Sequence, residues 1–102
     1  MVVHGLKVRG FDVTVIPDMR KTTAGWPDLT AWHPRLSGRL YCFELKTMTG
    51  KATVKQAVTL RHLASVPGIV TRLVRPSDWS ALRDEIDVAL EHVERSEEEE
   101  SL

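Results

Sequence analysis

Two acidic clusters on strand-like segments constrain this chain more than any other feature. Pro27-Asp28 opens one apolar run, and Glu44-Leu45-Lys46 ends another, with Glu44 sixteen residues after Asp28. Because successive side chains of a strand point to opposite faces, Glu44 and Lys46 are expected on one face and Leu45 on the other. A carboxylate and an ammonium on the same face indicate that the two groups act together in one polar site.

The segment between the two clusters predicts a β-hairpin. Residues 29–32 and 39–46 are strand-like, and the connection 33–38 contains a proline and a glycine, which are typical of turns. In an antiparallel pair the beginning of one strand lies beside the end of the next. Asp28 and Glu44 are therefore expected to meet.

The chemistry of these groups favours a divalent metal. Asp28 and Glu44 offer carboxylate oxygens and Leu45 offers a backbone carbonyl, a donor set that suits Mg²⁺ or Mn²⁺. Such an ion would polarise a phosphate and activate a water, while Lys46 would stabilise the negative charge of the transition state. The alternative is an ordinary surface charge pair on a strand, beside a Pro-Asp turn.

The motifs continue in a definite order along the chain. The order is Gly25-Trp26-Pro27-Asp28-Leu29, then Phe43-Glu44-Leu45-Lys46, then Gln56 in a helix, then a strand over 70–75. This series resembles the VRR-NUC family of the PD-(D/E)xK nuclease superfamily, and the similarity covers most of residues 1–76.

The resemblance implies a fold, an activity and a site. The fold would be α/β, with a restriction-endonuclease-like α-β-β-β-α-β core and a mixed sheet flanked by helices. The activity would be that of a Mg²⁺- or Mn²⁺-dependent endodeoxyribonuclease, a homodimer acting on branched DNA such as four-way junctions. Asp28 and Glu44 would be metal ligands and Lys46 the catalytic lysine, and Gln56 matches a glutamine that the family often carries near the site.

The first ten residues depart from the family pattern. Superfamily members usually supply a further acidic residue from the first helix, whereas residues 1–10 contain none, and His4 is not assigned as a ligand. Either the site works with two carboxylates, or the first helix of the protein begins upstream of Met1. A second hypothesis follows, namely a catalytically impaired DNA-binding module of the same fold.

A helix is predicted over 54–64, with Thr53 as its N-cap. Gln56 then occupies the capping-box position, which is an alternative to a role at the site. One stripe of this helix is expected to pack on the sheet: Ala57, Leu60, Leu63 and Ala64. Five cations are candidates for binding nucleic-acid phosphates, with an ordinary solvated surface as the alternative: Arg20, Lys21, Lys51, Lys55 and Arg61.

The formal net charge of zero hides an asymmetry along the chain. Residues 1–76 hold twelve Lys and Arg against four Asp and Glu, whereas residues 77–102 hold two against ten. A basic body favours DNA as the partner, because cations that neutralise phosphates release counterions. Residues 1–93 are predicted to form the nuclease domain, and residues 94–102, too charged to bury, an acidic disordered tail. A third hypothesis is a small protein-interaction domain whose acidic tail mimics DNA, either for a partner or for its own basic face.

Composition excludes several other classes of protein. The sequence has no run of about 18 or more apolar residues, which argues against a membrane partner. The single cysteine, Cys42, excludes an internal disulfide and a multi-cysteine zinc site, and its position in a predicted strand indicates a buried thiol. We expect a cytoplasmic protein of bacterial or phage type, located in the host cytoplasm if a phage encodes it.

Overall fold

The structure, a computed structural model, describes residues 1–17 and 25–101. In chain order the elements are α1 (Val2–Val8), β1 (Asp12–Val15), β2 (Leu29–Trp32), β3 (Leu40–Leu45), α2 (Val54–Ala64), β4 (Ile69–Val74), a short 3-10 turn (Pro76–Asp78) and α3 (Trp79–Ser101). The sheet has the order β1-β2-β3-β4, in which β1, β2 and β3 pair antiparallel and β4 pairs parallel with β3. The described chain is thus mixed α/β, with a four-stranded mixed sheet flanked by helices, which confirms the coarse fold class predicted from the sequence.

β3 is slightly shorter than the sequence predicts. The sequence predicts a strand over 39–46, and regular pairing stops one residue inside each end. Sheet-like hydrogen bonds nevertheless continue past the strands, because the Ile16 N–H donates to the Asp28 carbonyl at 2.9 Å and the Lys46 N–H donates to a carbonyl of β4 at 3.0 Å. The backbone around Asp28 and Lys46 therefore keeps the geometry of the sheet.

The two faces of the sheet differ in what covers them. On β3, Tyr41 and Phe43 belong to one continuous apolar core, whereas Cys42 and Glu44 are buried outside that core. This division follows from the alternation of side chains along a strand. α1 and α3 lie on the first face, and their buried members of the core are Val2, Leu6, Trp79, Leu82 and Ile86.

α1 docks on this core through a glycine. A Cβ added to Gly5 would lie 2.1 Å from Cζ2 of Trp79, so the two helices approach at a distance that only glycine allows here. Trp79 is 7% exposed and opens α3. A helix of seven residues has little stability of its own, so α1 depends on this packing.

α2 covers the opposite face of the sheet and has no fully buried residue. Leu60 and Leu63 are half-buried, as expected, but the two alanines predicted to share their stripe are exposed. The prediction was wrong for the alanines because the packed side of α2 includes Gln56, whose side chain reaches Glu44 on β3. A polar contact, rather than the apolar stripe alone, sets the rotation of the helix.

α3 continues where a disordered tail was expected over 94–102, and it ends at Ser101. Arg35, in the β2–β3 connection, donates to Glu94 at 2.9 Å and to Glu97 at 2.5 Å. Glutamate also has a high helix propensity, so charge pairing across the fold and local propensity extend a segment that is too polar to bury. Neither α3 nor another helix in the described part of the chain is long and apolar enough to cross a membrane.

Candidate functional site

The β2–β3 hairpin brings the two predicted carboxylates to one end of the sheet. Leu29 lies opposite Phe43, and extending this register by one residue sets Asp28 opposite Glu44. Directly opposed residues of an antiparallel pair project to the same face. The Leu45 N–H donates to Asp28 Oδ2 at 2.8 Å. This bond holds the Asp28 carboxylate against β3, one residue from Glu44.

Glu44 is a buried carboxylate with an amine and an amide beside it. The residue is 1% exposed, so it is almost entirely withdrawn from water. Lys46 Nζ lies 3.6 Å from Glu44 Oε1, an ion pair longer than a hydrogen bond, and Gln56 Nε2 donates to the same oxygen at 2.8 Å. Leu45 packs against the apolar core on the other face. The alternation predicted from the sequence thus places Glu44 and Lys46 together.

Gln56 both caps α2 and contacts Glu44 in the structure. Gln56 Oε1 accepts a hydrogen bond from the Thr53 N–H at 2.9 Å, and Thr53 Oγ1 accepts one from the Gln56 N–H at 3.1 Å, which completes the capping box. The amide nitrogen remains available to donate to Glu44, since a primary amide carries an acceptor oxygen and a donor nitrogen on one carbon. The first turn of α2 is therefore tied directly to Glu44.

Gly25 brings the segment before Asp28 against the same turn of α2. Its φ is +87°, and an added Cβ would lie 2.6 Å from the Lys55 carbonyl oxygen. Both facts require glycine, because other residues rarely adopt this conformation and none would fit against the helix. Gly25 belongs to the ordered motif series, but nothing in the spacing of the sequence indicates its contact with α2.

The oxygen donors at this end of the sheet fit a small, hard cation. Asp28 and Glu44 supply carboxylates. The Lys46 N–H donates to the Val74 carbonyl on β4. Because the C=O and N–H of a trans peptide point in opposite directions, the Leu45 carbonyl points toward the β2 side, where Asp28 lies. Two carboxylates and a carbonyl leave coordination positions for water and phosphate oxygens, which is how Mg²⁺ is commonly bound.

A third acidic ligand is missing from the described residues. Within 1–17 and 25–101, no group of three or more His, Cys, Asp or Glu residues could hold a metal ion. α1 has no acidic side chain, and its His4 is exposed. Within the described part of the chain, the donors at this end of the sheet are the two carboxylates and the carbonyl.

Three of the five candidate phosphate-binding cations belong to the described residues, and they lie in α2 or just before it. Lys51 is exposed in the loop before α2, Lys55 is exposed in the first turn of the helix, and Arg61 is exposed in its last turn. Among the described residues, no carboxylate forms an ion pair with any of these three. Arg20 and Lys21 lie outside the described residues.

Arginines on the other side of the sheet are paired with α3. Arg9 lies 2.6 Å from Asp87, and Arg72 lies 2.9 Å from Glu85. Hydrogen bonding to Arg9 lowers the pKa of the Asp87 carboxyl, and hydrogen bonding to Glu97 raises the pKa of Arg35. The acidic helix thus compensates much of the basic surplus on its own side and leaves positive charge on the α2 side.

Cys42 takes no part in this chemistry. It is 1% exposed, and burial raises the pKa of its thiol. A buried thiol with a raised pKa is a poor nucleophile at neutral pH. The prediction of a buried structural thiol is confirmed.

Comparison of the chain with protein-family models, with curated proteins and with solved structures finds no match. The resemblance to VRR-NUC nucleases therefore depends on the ordered motifs alone.

Proposed function

We propose that this chain is a metal-dependent nuclease that hydrolyses phosphodiester bonds of DNA, with the restriction-endonuclease-like fold of the PD-(D/E)xK superfamily. The observation that carries the proposal is the convergence of Asp28, Glu44 and Lys46 at one end of the β2–β3 hairpin. Burying a carboxylate costs free energy unless a nearby charge compensates it, and two carboxylates side by side repel each other. A divalent cation offsets both costs.

Each residue has a distinct part in this proposal. Asp28, Glu44 and the Leu45 carbonyl would hold the Mg²⁺ or Mn²⁺, which would supply Lewis-acid polarisation of the scissile phosphate and a nucleophilic water. The Lys46 ammonium stabilises negative charge in the transition state from the same face. Gln56 fixes the orientation of the Glu44 carboxylate through its hydrogen bond, as partners of metal ligands commonly do.

DNA is the substrate that the charge distribution favours. Lys55 and Arg61 are exposed on α2 and Lys51 in the loop before it, whereas α3 pairs with Arg9 and Arg72 on the opposite face of the sheet. Cations that bind phosphates make affinity fall steeply with salt. The likeness to VRR-NUC nucleases adds branched DNA, such as a four-way junction, as the preferred form.

A homodimer is part of this proposal. Two copies related by a two-fold axis would present two sites to a symmetric junction, one for each opposed strand. Sedimentation of the protein alone and with a four-way junction tests this element. A single copy bound to the junction would remove the dimer while leaving the nuclease assignment intact.

A catalytically impaired DNA-binding module of the same fold is the second candidate. The observation that favours it is the lack of a third acidic ligand in the described residues, together with the absence of an acidic side chain from α1. Such a module would bind DNA in a salt-dependent manner and cut none of it.

A cleavage panel with matched variants tests the proposal. The substrates are linear, flap, single-stranded and four-way DNA, each with Mg²⁺, Mn²⁺ or neither. The site variants are Asp28→Asn, Glu44→Gln and Lys46→Met, which keep side-chain size and remove charge, and the control is Glu99→Gln, an exposed carboxylate near the end of α3. We expect metal-dependent cleavage by wild type and the control, and a loss of more than about a hundredfold in each site variant.

Metal binding gives a readout that does not depend on cleavage. A ligand that binds only the folded state raises its stability by an amount that grows with ligand concentration. Mg²⁺ should therefore raise the Tm of wild type and have a smaller effect on Glu44→Gln. Equal cleavage by wild type and the three site variants would refute the nuclease assignment, and DNA binding without cleavage in either metal would favour the impaired module.

A further inference from the structure

Arg75, directly after β4, reaches across to the loop that follows Lys46. Its Nη1 donates to the carbonyls of Thr47 and Gly50, each at 2.6 Å. The loop is also closed from inside, because the Gly50 N–H donates to Thr47 Oγ1 at 3.0 Å. Loop 47–50 is thus folded around a single guanidinium.

This loop borders the Lys46 side chain. A Cβ added to Gly50 would lie 3.7 Å from Lys46 Cδ, so the stem of the lysine runs alongside the Gly50 backbone. Lys46 and Arg75 also line the same cavity of about 120 Å³, together with Val74 and the beginning of α1. A lysine side chain has many rotamers, and the ordered loop limits the positions that its ammonium can reach.

The loop also joins Lys46 to the capping box of α2. Gly50 is followed after two residues by Thr53, whose N–H and hydroxyl bind Gln56. Lys46 and Gln56, the two side chains on Glu44 Oε1, are therefore attached to the two ends of one connection. Holding Gly50 in place constrains both ends.

We propose that Arg75 is a positioning residue, which orders loop 47–50 so that Lys46 and Gln56 stay against Glu44. The proposal rests on the nuclease function proposed above. Arginine suits the task because the two N–H bonds of Nη1 are fixed in the guanidinium plane and can each bind one carbonyl, whereas the ammonium of lysine rotates on a flexible stem. In the loop, Arg75 donates to backbone carbonyls. Its effect on the chemistry is therefore indirect, through the position of Lys46.

The experiment compares Arg75→Met with Arg72→Met. Arg72 lies three residues earlier and bonds the Thr71 carbonyl and Glu85, with no contact to loop 47–50. Arg75→Met should lower kcat by about 10–100-fold and change KM for DNA by less than about twofold. Arg75→Lys should recover part of the loss, and Arg72→Met should keep the wild-type kcat.

Hydrogen exchange provides the readout that is independent of catalysis. The Gly50 amide should exchange at least about ten times faster in Arg75→Met, because its loop opens more often, while the Phe43 amide in the sheet is unchanged. Wild-type exchange at Gly50, or a kcat equal to that of Arg72→Met, would overturn the proposal. If the wild-type protein cleaves no DNA, the proposed function fails separately, and the exchange comparison alone decides whether Arg75 orders the loop.

Discussion

The two faces of β3 differ in what they bury, although their residues alternate along one strand. Tyr41 and Phe43 point into an apolar core that α1 and α3 complete. Cys42 and Glu44 point to the other face, where α2 has no fully buried residue and a buried carboxylate binds a helix cap. We therefore expect most of the stability to come from the first face, whereas contacts on the second face hold polar groups in place.

The largest expected effect tests this division directly. Phe43→Ala removes a side chain that is fully buried in the core and should lower the free energy of unfolding by about 3–5 kcal/mol. Leu60→Ala, on half-buried α2, removes less buried area and should cost about 1 kcal/mol. Urea unfolding with an unchanged m-value measures both. Equal losses would show that the two faces contribute equally and would break the comparison.

On the α2 face, the role of Gln56 in capping α2 can be separated from its role in orienting Glu44. Thr53→Ala and Gln56→Met each remove one half of the capping box, and this loss should cost about 1 kcal/mol in each. Gln56→Met should cost about 1–3 kcal/mol more, because it also takes a hydrogen bond from the buried Glu44 carboxylate. Only Gln56→Met also removes the hydrogen bond to Glu44, so it alone should lower kcat, by about 10–100-fold.

Unfolding curves and single-turnover cleavage, measured on the same preparations, check this second prediction. Wild-type activity in both variants would mean that the bond to Glu44 has no role in cleavage. A similar loss of activity in both would mean that helix stability, rather than the orientation of Glu44, limits cleavage.

Much of the fold and of the Asp28–Glu44 arrangement could be predicted from the sequence because both depend on local patterns. The hairpin follows from two short apolar runs and a turn between them, and its antiparallel register sets Asp28 opposite Glu44. The cap of α2 follows from Thr53 and Gln56 at their spacing of three. These inferences need only neighbours in sequence.

Other features could not be predicted because they depend on partners far apart in the chain. Arg75 binds Thr47 and Gly50, which precede it by 28 and 25 residues. Arg35 lies 59 residues before Glu94, so the extension of α3 has no local signature beyond the helix propensity of glutamate. In both cases a long, flexible cation finds carbonyls or carboxylates that only the assembled fold brings near.

The smallest expected effect concerns a surface pair on the well-packed face. Arg9 binds Asp87 through two hydrogen bonds of 2.6 and 3.2 Å, yet the Asp87 side chain is 49% exposed. Solvent screening limits such pairs, so Asp87→Asn should cost less than about 1 kcal/mol at pH 7. Because Arg9 lowers the pKa of the folded Asp87 carboxyl, this stabilisation is present above the carboxyl's ordinary pKa and is lost as the pH falls through the lowered value. The unfolding free energies of wild type and Asp87→Asn should therefore converge in acid, and a difference that persists at low pH would show that the pair acts through packing rather than charge.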